Sequence, residues 1–302
     1  MDARRWARAL VAVAAAGLLS AFAAPAAADD GAANAAVPAV AGTYQGLAFE
    51  GRAYDLFVPD TPPRAFVLAL HNYQHTPQTL EATSGIFALA ARHAWVVAVP
   101  AGIGRSWNAG FCCGSAAAQG FDDEHRLAEL EEHVTGALGI SDLPRFALGL
   151  SNGGMMAARM SCDGIGRFTG VVLVSANLQV DDCPAFTSQV LVVRGGRDRS
   201  VPIAGARYSA YLATHLHSDG YLLGTWRRLV GGCRNTATAS RAVLQDVLRC
   251  RGGAYLRYVE DRRGGHVWFA HRRHDAVDTN TLLRTFIDEH APAPTGQPSA
   301  AA

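Results

Sequence analysis

The sequence predicts an α/β fold, with a mostly parallel central sheet and helices on both faces, in one domain over residues 42–290. Three observations predict it. Short apolar runs alternate with segments of helical spacing, which calls for crossover connections and a sheet covered on both sides. The runs are bounded by proline, glycine or polar residues, as fully buried strands are. Gly149-Leu150-Ser151-Asn152-Gly153 stands between one such run and a helical segment, and open parallel sheets place ligands beyond the carboxyl ends of their strands.

The elements follow in order. Residues 43–49 and 52–58 read as an opening hairpin, and 65–70 as a buried strand. Helical spacing runs over 76–93, and a second buried strand, 95–99, is ended by Pro100. Residues 121–138 are helical, with Asp122 or Asp123 as the cap. Strand 146–150 leads into helix 152–160; strands 170–175 and 189–194 follow. The remainder reads as helix 203–216, strand 254–259 and helix 275–290.

The ends are different in kind. Arg4, Arg5 and Arg8 precede an apolar run over 9–24, and Ala26-Ala27-Ala28 offers a small-residue cleavage site. This is the layout of a secretory signal peptide over 1–28, with an apolar run short for a membrane span. Cleavage near Ala28 yields a secreted mature chain without a membrane span; the rival reading is an uncleaved anchor. Residues 29–41 read as a flexible leader and 291–302 as a disordered tail.

Composition narrows the function. With 49% hydrophobic and 8% aromatic residues, global disorder is excluded. The formal net charge is +1, and no lysine or basic cluster is present. Phosphate-backbone binding needs such a cluster, so nucleic acid is set aside as a partner. An even number of cysteines, Cys112, Cys113, Cys162, Cys183, Cys233 and Cys250, reads as disulfides in an exported chain. No C-x-x-C pair exists, and adjacent Cys112-Cys113 suits chelation badly, so no metal site is expected. Separation along the chain favours Cys233–Cys250 and Cys162–Cys183.

A serine in G-x-S-x-G between strand and helix is held exposed on a tight turn, above the positive end of the helix. Ser151 is thus the candidate nucleophile. It needs a base and an orienting acid, and in this architecture the acid follows the serine in the chain and the histidine base comes last. Asp198 stands just past strand 189–194, with Asp181 and Asp182 as rivals. His266, in Gly264-Gly265-His266, follows strand 254–259, with His271, His274 and His290 as competitors. The candidate oxyanion donors are the N–H of Asn152 and that of Tyr73 or Asn72, in the loop after strand 65–70. His71 reads as a structural residue of that loop.

Gly149–Met156, with its Gly-Leu-Ser-Asn-Gly-Gly-Met-Met, resembles the extracellular esterases of the polyhydroxybutyrate depolymerase type, α/β-hydrolases related to feruloyl and acetylxylan esterases. Trp107–Gly114 resembles that family's W-N-x-G-x-C-C-G loop, Asp122-Asp123 its acidic pair, and Gly264–Trp268 its G-G-H-x-W loop. The resemblance spans residues 43–290. It implies a Ser151–Asp198–His266 triad and places Trp107, Asn108 and Trp268 near the substrate. Asp123 either ties the 107–114 loop to the sheet or caps a helix. Three positions depart from the pattern: Asn72 for glycine, Arg194 for histidine, and Phe269 for proline. The expected activity is hydrolysis of carboxylic esters, polyhydroxyalkanoate oligomers or feruloyl and acetyl esters, without metal or organic cofactor. An acyltransferase with the same triad and a non-catalytic binding module on the same scaffold are the alternatives.

Overall fold

The computed structural model describes residues 34–187, 189–270 and 275–291. The signal segment, His271, His274 and the tail from 292 lie outside the described residues. The chain opens with an antiparallel hairpin, β1 (Gly42–Phe49) and β2 (Arg52–Val58). Then come β3 (Ala65–Leu70), α1 (Pro77–Ser84), α2 (Ile86–His93), β4 (Trp95–Pro100), the short α3 (Gly114–Ala118) and α4 (Asp123–Ala137). β5 (Arg145–Leu150) leads into α5 (Asn152–Asp163), followed by β6 (Gly170–Val174) and β7 (Gln189–Gly195). β8 (Ala206–Ser209), β9 (Thr214–Leu216), α6 (Asp219–Val230), β10 (Arg234–Ala239), β11 (Val243–Arg249), β12 (Tyr255–Asp261) and α7 (Thr279–His290) complete it.

The main sheet runs β1-β2-β4-β3-β5-β6-β7-β12-β11-β10. Its centre, from β4 to β12, is parallel throughout, and both flanks are antiparallel. The sheet is therefore mixed, with the expected parallel part in the middle. β3, β4, β5 and β6 are buried along their full length, which explains their unbroken apolar runs. Period-two alternation then splits each strand between two cores. Phe66 and Leu68 face a core closed by Leu127 and Leu130 of α4, Met155 of α5 and Trp226 of α6. Ala65 and Val67 face a core closed by Leu80 of α1, Ile86 of α2 and Phe286 of α7.

Two readings are corrected, and two elements were not predicted. Segment 76–93 is two helices, because Gly85 takes a left-handed φ of 64° that ends α1 and starts α2. Segment 203–216 is not a helix but the hairpin β8–β9. Its apparent helical period includes Tyr208 and Tyr211, which are exposed, and Gly205 (φ 72°) sits where a Cβ would meet the Leu216 carbonyl oxygen at 2.5 Å. The helix of this region is α6, two residues further on, capped by the Ser218 side chain on the Tyr221 N–H. The hairpin β10–β11 escaped the sequence because β10 is exposed at every position and has no apolar period.

Disulfides join Cys162 to Cys183 and Cys233 to Cys250, and Cys112 is bonded to its neighbour Cys113. Among the described residues no helix is long and apolar enough to cross a membrane.

Candidate active site

Ser151 follows β5 directly and takes φ 55° and ψ −122°, a sparsely populated conformation costing roughly 1–3 kcal/mol. Packing enforces it. A Cβ on Gly149 would lie 2.5 Å from the Gly154 nitrogen, one on Gly153 2.6 Å from the His71 carbonyl oxygen, and one on Gly154 2.6 Å from the Ala176 Cβ. The three glycines let α5 start against the ends of β3 and β6. The Ser151 N–H donates to the Val174 carbonyl at 2.8 Å. Asn152 opens α5, and a first-turn N–H has no intrahelical acceptor.

Asp198 lies three residues beyond β7, in a turn closed by its own N–H on the Gly195 carbonyl (3.1 Å). Its Oδ1 accepts the N–H groups of Ser200 and Val201 at 2.9 and 2.8 Å. Its Oδ2 lies 2.8 Å from His266 Nδ1. A carboxylate only accepts, so Nδ1 carries a proton, and in the neutral ring it is Nε2 that presents the lone pair. The His266 loop is tied down on two sides. The Gly264 carbonyl accepts the Arg197 N–H at 2.8 Å, and Ser175, at the end of β6, donates its hydroxyl to the Val267 carbonyl at 3.1 Å. β6 lies between β5 and β7, so one strand end holds both the Ser151 turn and the His266 loop. The rival acids lie elsewhere: Asp181 pairs with His217 at 3.1 Å, with a side chain 75% exposed, and Asp182 is exposed. His290 packs against Phe286 and Tyr255 on α7's side of the sheet.

No protein-family model matches the chain. No curated protein matches its sequence either. Solved structures do match in fold. The acetyl xylan esterase from Aspergillus awamori aligns with a TM-score of 0.53 at 12% identity, over 81% of this chain and 98% of that one. TT1662 from Thermus thermophilus aligns with a TM-score of 0.52 at 15% identity, over 83% and 99%. Thermogutta terrifontis esterase 2, phosphorylated by paraoxon, aligns with a TM-score of 0.53 at 13% identity, over 85% and 97%. The chain has the α/β-hydrolase fold.

In this fold the loop after β3 meets the turn at Ser151 through Trp107. The Trp107 N–H donates to Asn152 Oδ1 (2.8 Å), Asn152 Nδ2 donates to the Trp107 carbonyl (2.9 Å), and the indole N–H donates to the His71 carbonyl (2.9 Å). His71 accepts the Gly102 N–H at Nε2 (3.0 Å) and faces the Asn72 carbonyl with Nδ1 (2.9 Å). The His75 N–H also donates to that carbonyl at 3.2 Å, closing a turn over Tyr73 and Gln74. The left-handed conformation falls on Gln74 (φ 63°) and not on Asn72. Asparagine, where the motif this loop resembles has glycine, therefore costs the loop no backbone strain.

Both indoles expected near the substrate are buried and bond to protein. Trp107 is 0% exposed and Trp268 2%, and the Trp268 N–H donates to Asn280 Oδ1 at 3.1 Å. Asn108 donates its amide to the Phe121 carbonyl (2.8 Å), and its N–H reaches Asp123 Oδ2 (2.8 Å). Asp123 Oδ1 takes Arg52 of β2 at 2.8 Å, so Asp123 ties this loop to the sheet while Asp122 caps α4. The open surface beside Tyr73 is a groove of about 330 Å³, lined by Tyr73, Phe111, Cys113, Tyr211 and Leu212. Tyr211 and Leu212 fall in the segment whose spacing predicts a helix, and neither they nor Ser175 stand out in the sequence as site residues. Ser175 is the last residue of the strand read over 170–175, and a hydroxyl ending an apolar run is its one signal. Among the described residues no group of three His, Cys, Asp or Glu is placed to hold a metal ion.

His71 yields a pH prediction. Burial pushes its imidazole from the ordinary 6.5 down to about 4. Below pH 6.5 the unfolded chain takes up a proton that the native loop refuses until about pH 4. Stability should therefore fall across that window, by about 3 kcal/mol from this residue alone. Urea unfolding of the wild type at pH 7 and pH 4, set against His71→Gln, checks it: the variant should lose less stability between the two.

Proposed function

We propose that this α/β-hydrolase is an exported serine carboxylic-ester hydrolase. Ser151 attacks the ester carbonyl as His266 Nε2 takes its proton. Asp198 holds the imidazole in the required tautomer and stabilises its charged form. The N–H groups of Asn152 and of Tyr73 or Asn72 receive the oxyanion, in the electrostatic role that dominates acyl transfer. The alcohol leaves with the proton from His266, and water, deprotonated by His266, releases the acyl group from Ser151. The observation that carries this reading is the Asp198–His266 hydrogen bond at the same sheet edge as a strained Ser151. The motif resemblance supports polyhydroxyalkanoate oligomers or feruloyl and acetyl esters as the substrate class. The groove beside Tyr73 has no charged lining and suits a neutral acyl chain. Three disulfides and the signal-peptide layout of the sequence over 1–28 support export, with cleavage near Ala28.

Paraoxon tests the reading without knowledge of the natural ester. The Ser151 oxygen should displace p-nitrophenolate from phosphorus, releasing one equivalent and leaving a diethylphosphoryl group on the Ser151 peptide in mass spectrometry. A folded protein that takes no label at Ser151 and does not turn over p-nitrophenyl butyrate would overturn it.

A further inference from the structure

Arg194, next to last in β7, is 0% exposed. A guanidinium is always charged, and such a group is buried only with partners. Its Nε donates to Asp219 Oδ2 at 2.8 Å and its Nη2 to the Val201 carbonyl at 2.6 Å. Asp219 Oδ2 also accepts the Tyr258 hydroxyl at 2.9 Å. The third nitrogen, Nη1, has no hydrogen-bond partner and lies 3.8 Å from Asp198 Oδ2, the same oxygen that receives His266. Val201 is in turn a residue whose N–H holds Asp198 Oδ1. One arginine thus grips the Asp198 turn at its backbone and faces its carboxylate with a positive charge.

We propose that Arg194 is a positioning residue for the Asp198–His266 pair: anchored by Asp219 and Tyr258, it orients the Asp198 turn and sets the pH range in which His266 works as a base. The inference rests on the esterase reading for its purpose, but not for its electrostatics. The other charged or titratable groups around the pair are few. From the loops after β7 and β12, Arg197, Arg199, Arg262 and Arg263 are exposed. β12 brings Tyr258, Glu260 and Asp261; burial pushes the Tyr258 phenol up, and Asp261 is occupied by the N–H groups of Arg263, Gly264 and Ala276. α6 brings Asp219, whose carboxyl burial pushes up. The first turn of α5 brings no charge.

The sign follows from Coulomb's law. Arg194 opposes a proton on His266, and Asp219 offsets Arg194. Arg194→Met should remove the buried positive charge facing the pair and raise the midpoint of the His266 Hε1 titration in NMR by about one pH unit, the order expected for a unit charge at this range. Arg194→Lys, which keeps the charge, should leave the midpoint in place. Asp219→Asn should lower it. The acid limb of the paraoxon labelling rate at Ser151 should move with each midpoint. A merely structural role would lower rates and melting temperatures without moving the midpoints in opposite directions. Unmoved midpoints in folded Arg194→Met and Asp219→Asn overturn the proposal. If Arg194→Met does not fold, the absence of a downward shift in Asp219→Asn overturns it. Midpoints that shift in the variants while the wild type takes no label would uphold the electrostatics and defeat the esterase reading instead.

Discussion

Ser151→Ala should lower kcat for p-nitrophenyl butyrate by about 10⁵–10⁶, and His266→Ala by nearly as much, with the double variant no worse than either. The proposed nucleophile and base act as a unit: without the base the hydroxyl is a poor nucleophile, and without the hydroxyl the base has nothing to activate. Asp198→Asn should cost about 10⁴. The amide would present an N–H where His266 Nδ1 now donates at 2.8 Å, favouring the tautomer with the proton on Nε2. KM should change little in all of these variants, because none of the three side chains lines the groove beside Tyr73. Steady-state kinetics on folded variants checks the pattern. Additive losses in the double variant, or an Asp198→Asn enzyme close to wild type, would show that the three residues do not act together.

The parts of the fold that were legible in the sequence are those in which local chemistry and burial agree. β3, β4 and β5 are buried on both faces, so their apolar runs could be nothing else once proline or glycine bounded them. The turn at Ser151 was legible because its three glycines are required by backbone contacts, not by substrate. Asp198 and His266 followed from their place just after strands, since a parallel sheet collects such residues at one edge. The misread elements are those that tertiary contacts decide. β8 and β9 exist because Gly205 admits the Leu216 carbonyl, and no spacing rule reports that. The β10–β11 hairpin buries little, so it leaves no apolar period. Arg194 was visible in the sequence as a departure from the motif it resembles, which has histidine there. Its partners Asp219 and Tyr258, 25 and 64 residues further along the chain, were not, because only the fold brings them together.

Gly153→Ala should be among the most damaging methyl additions at the described glycines. The added Cβ would fall on the Leu70 carbonyl oxygen and lie 2.6 Å from that of His71, so neither neighbour is a side chain that could rotate away. α5 must retreat from the end of β3. Overpacking of this kind costs about 1–3 kcal/mol, and the melting temperature should fall accordingly. The loss of activity should exceed the loss of stability. The retreat would separate Asn152, at the head of α5, from the loop carrying Asn72 and Tyr73, and the Asn152–Trp107 hydrogen bonds that join the two would lengthen. Misplacing one proposed oxyanion donor should lower kcat by about 10²–10³ at little change in KM. Gly224→Ala is the internal control. Gly224 lies within α6 with nothing near a Cβ, so alanine there should raise stability by up to about 1 kcal/mol and leave kcat unchanged. If Gly153→Ala melts like wild type and keeps its kcat, the close approach of α5 to β3 is not what holds the proposed oxyanion donors in place.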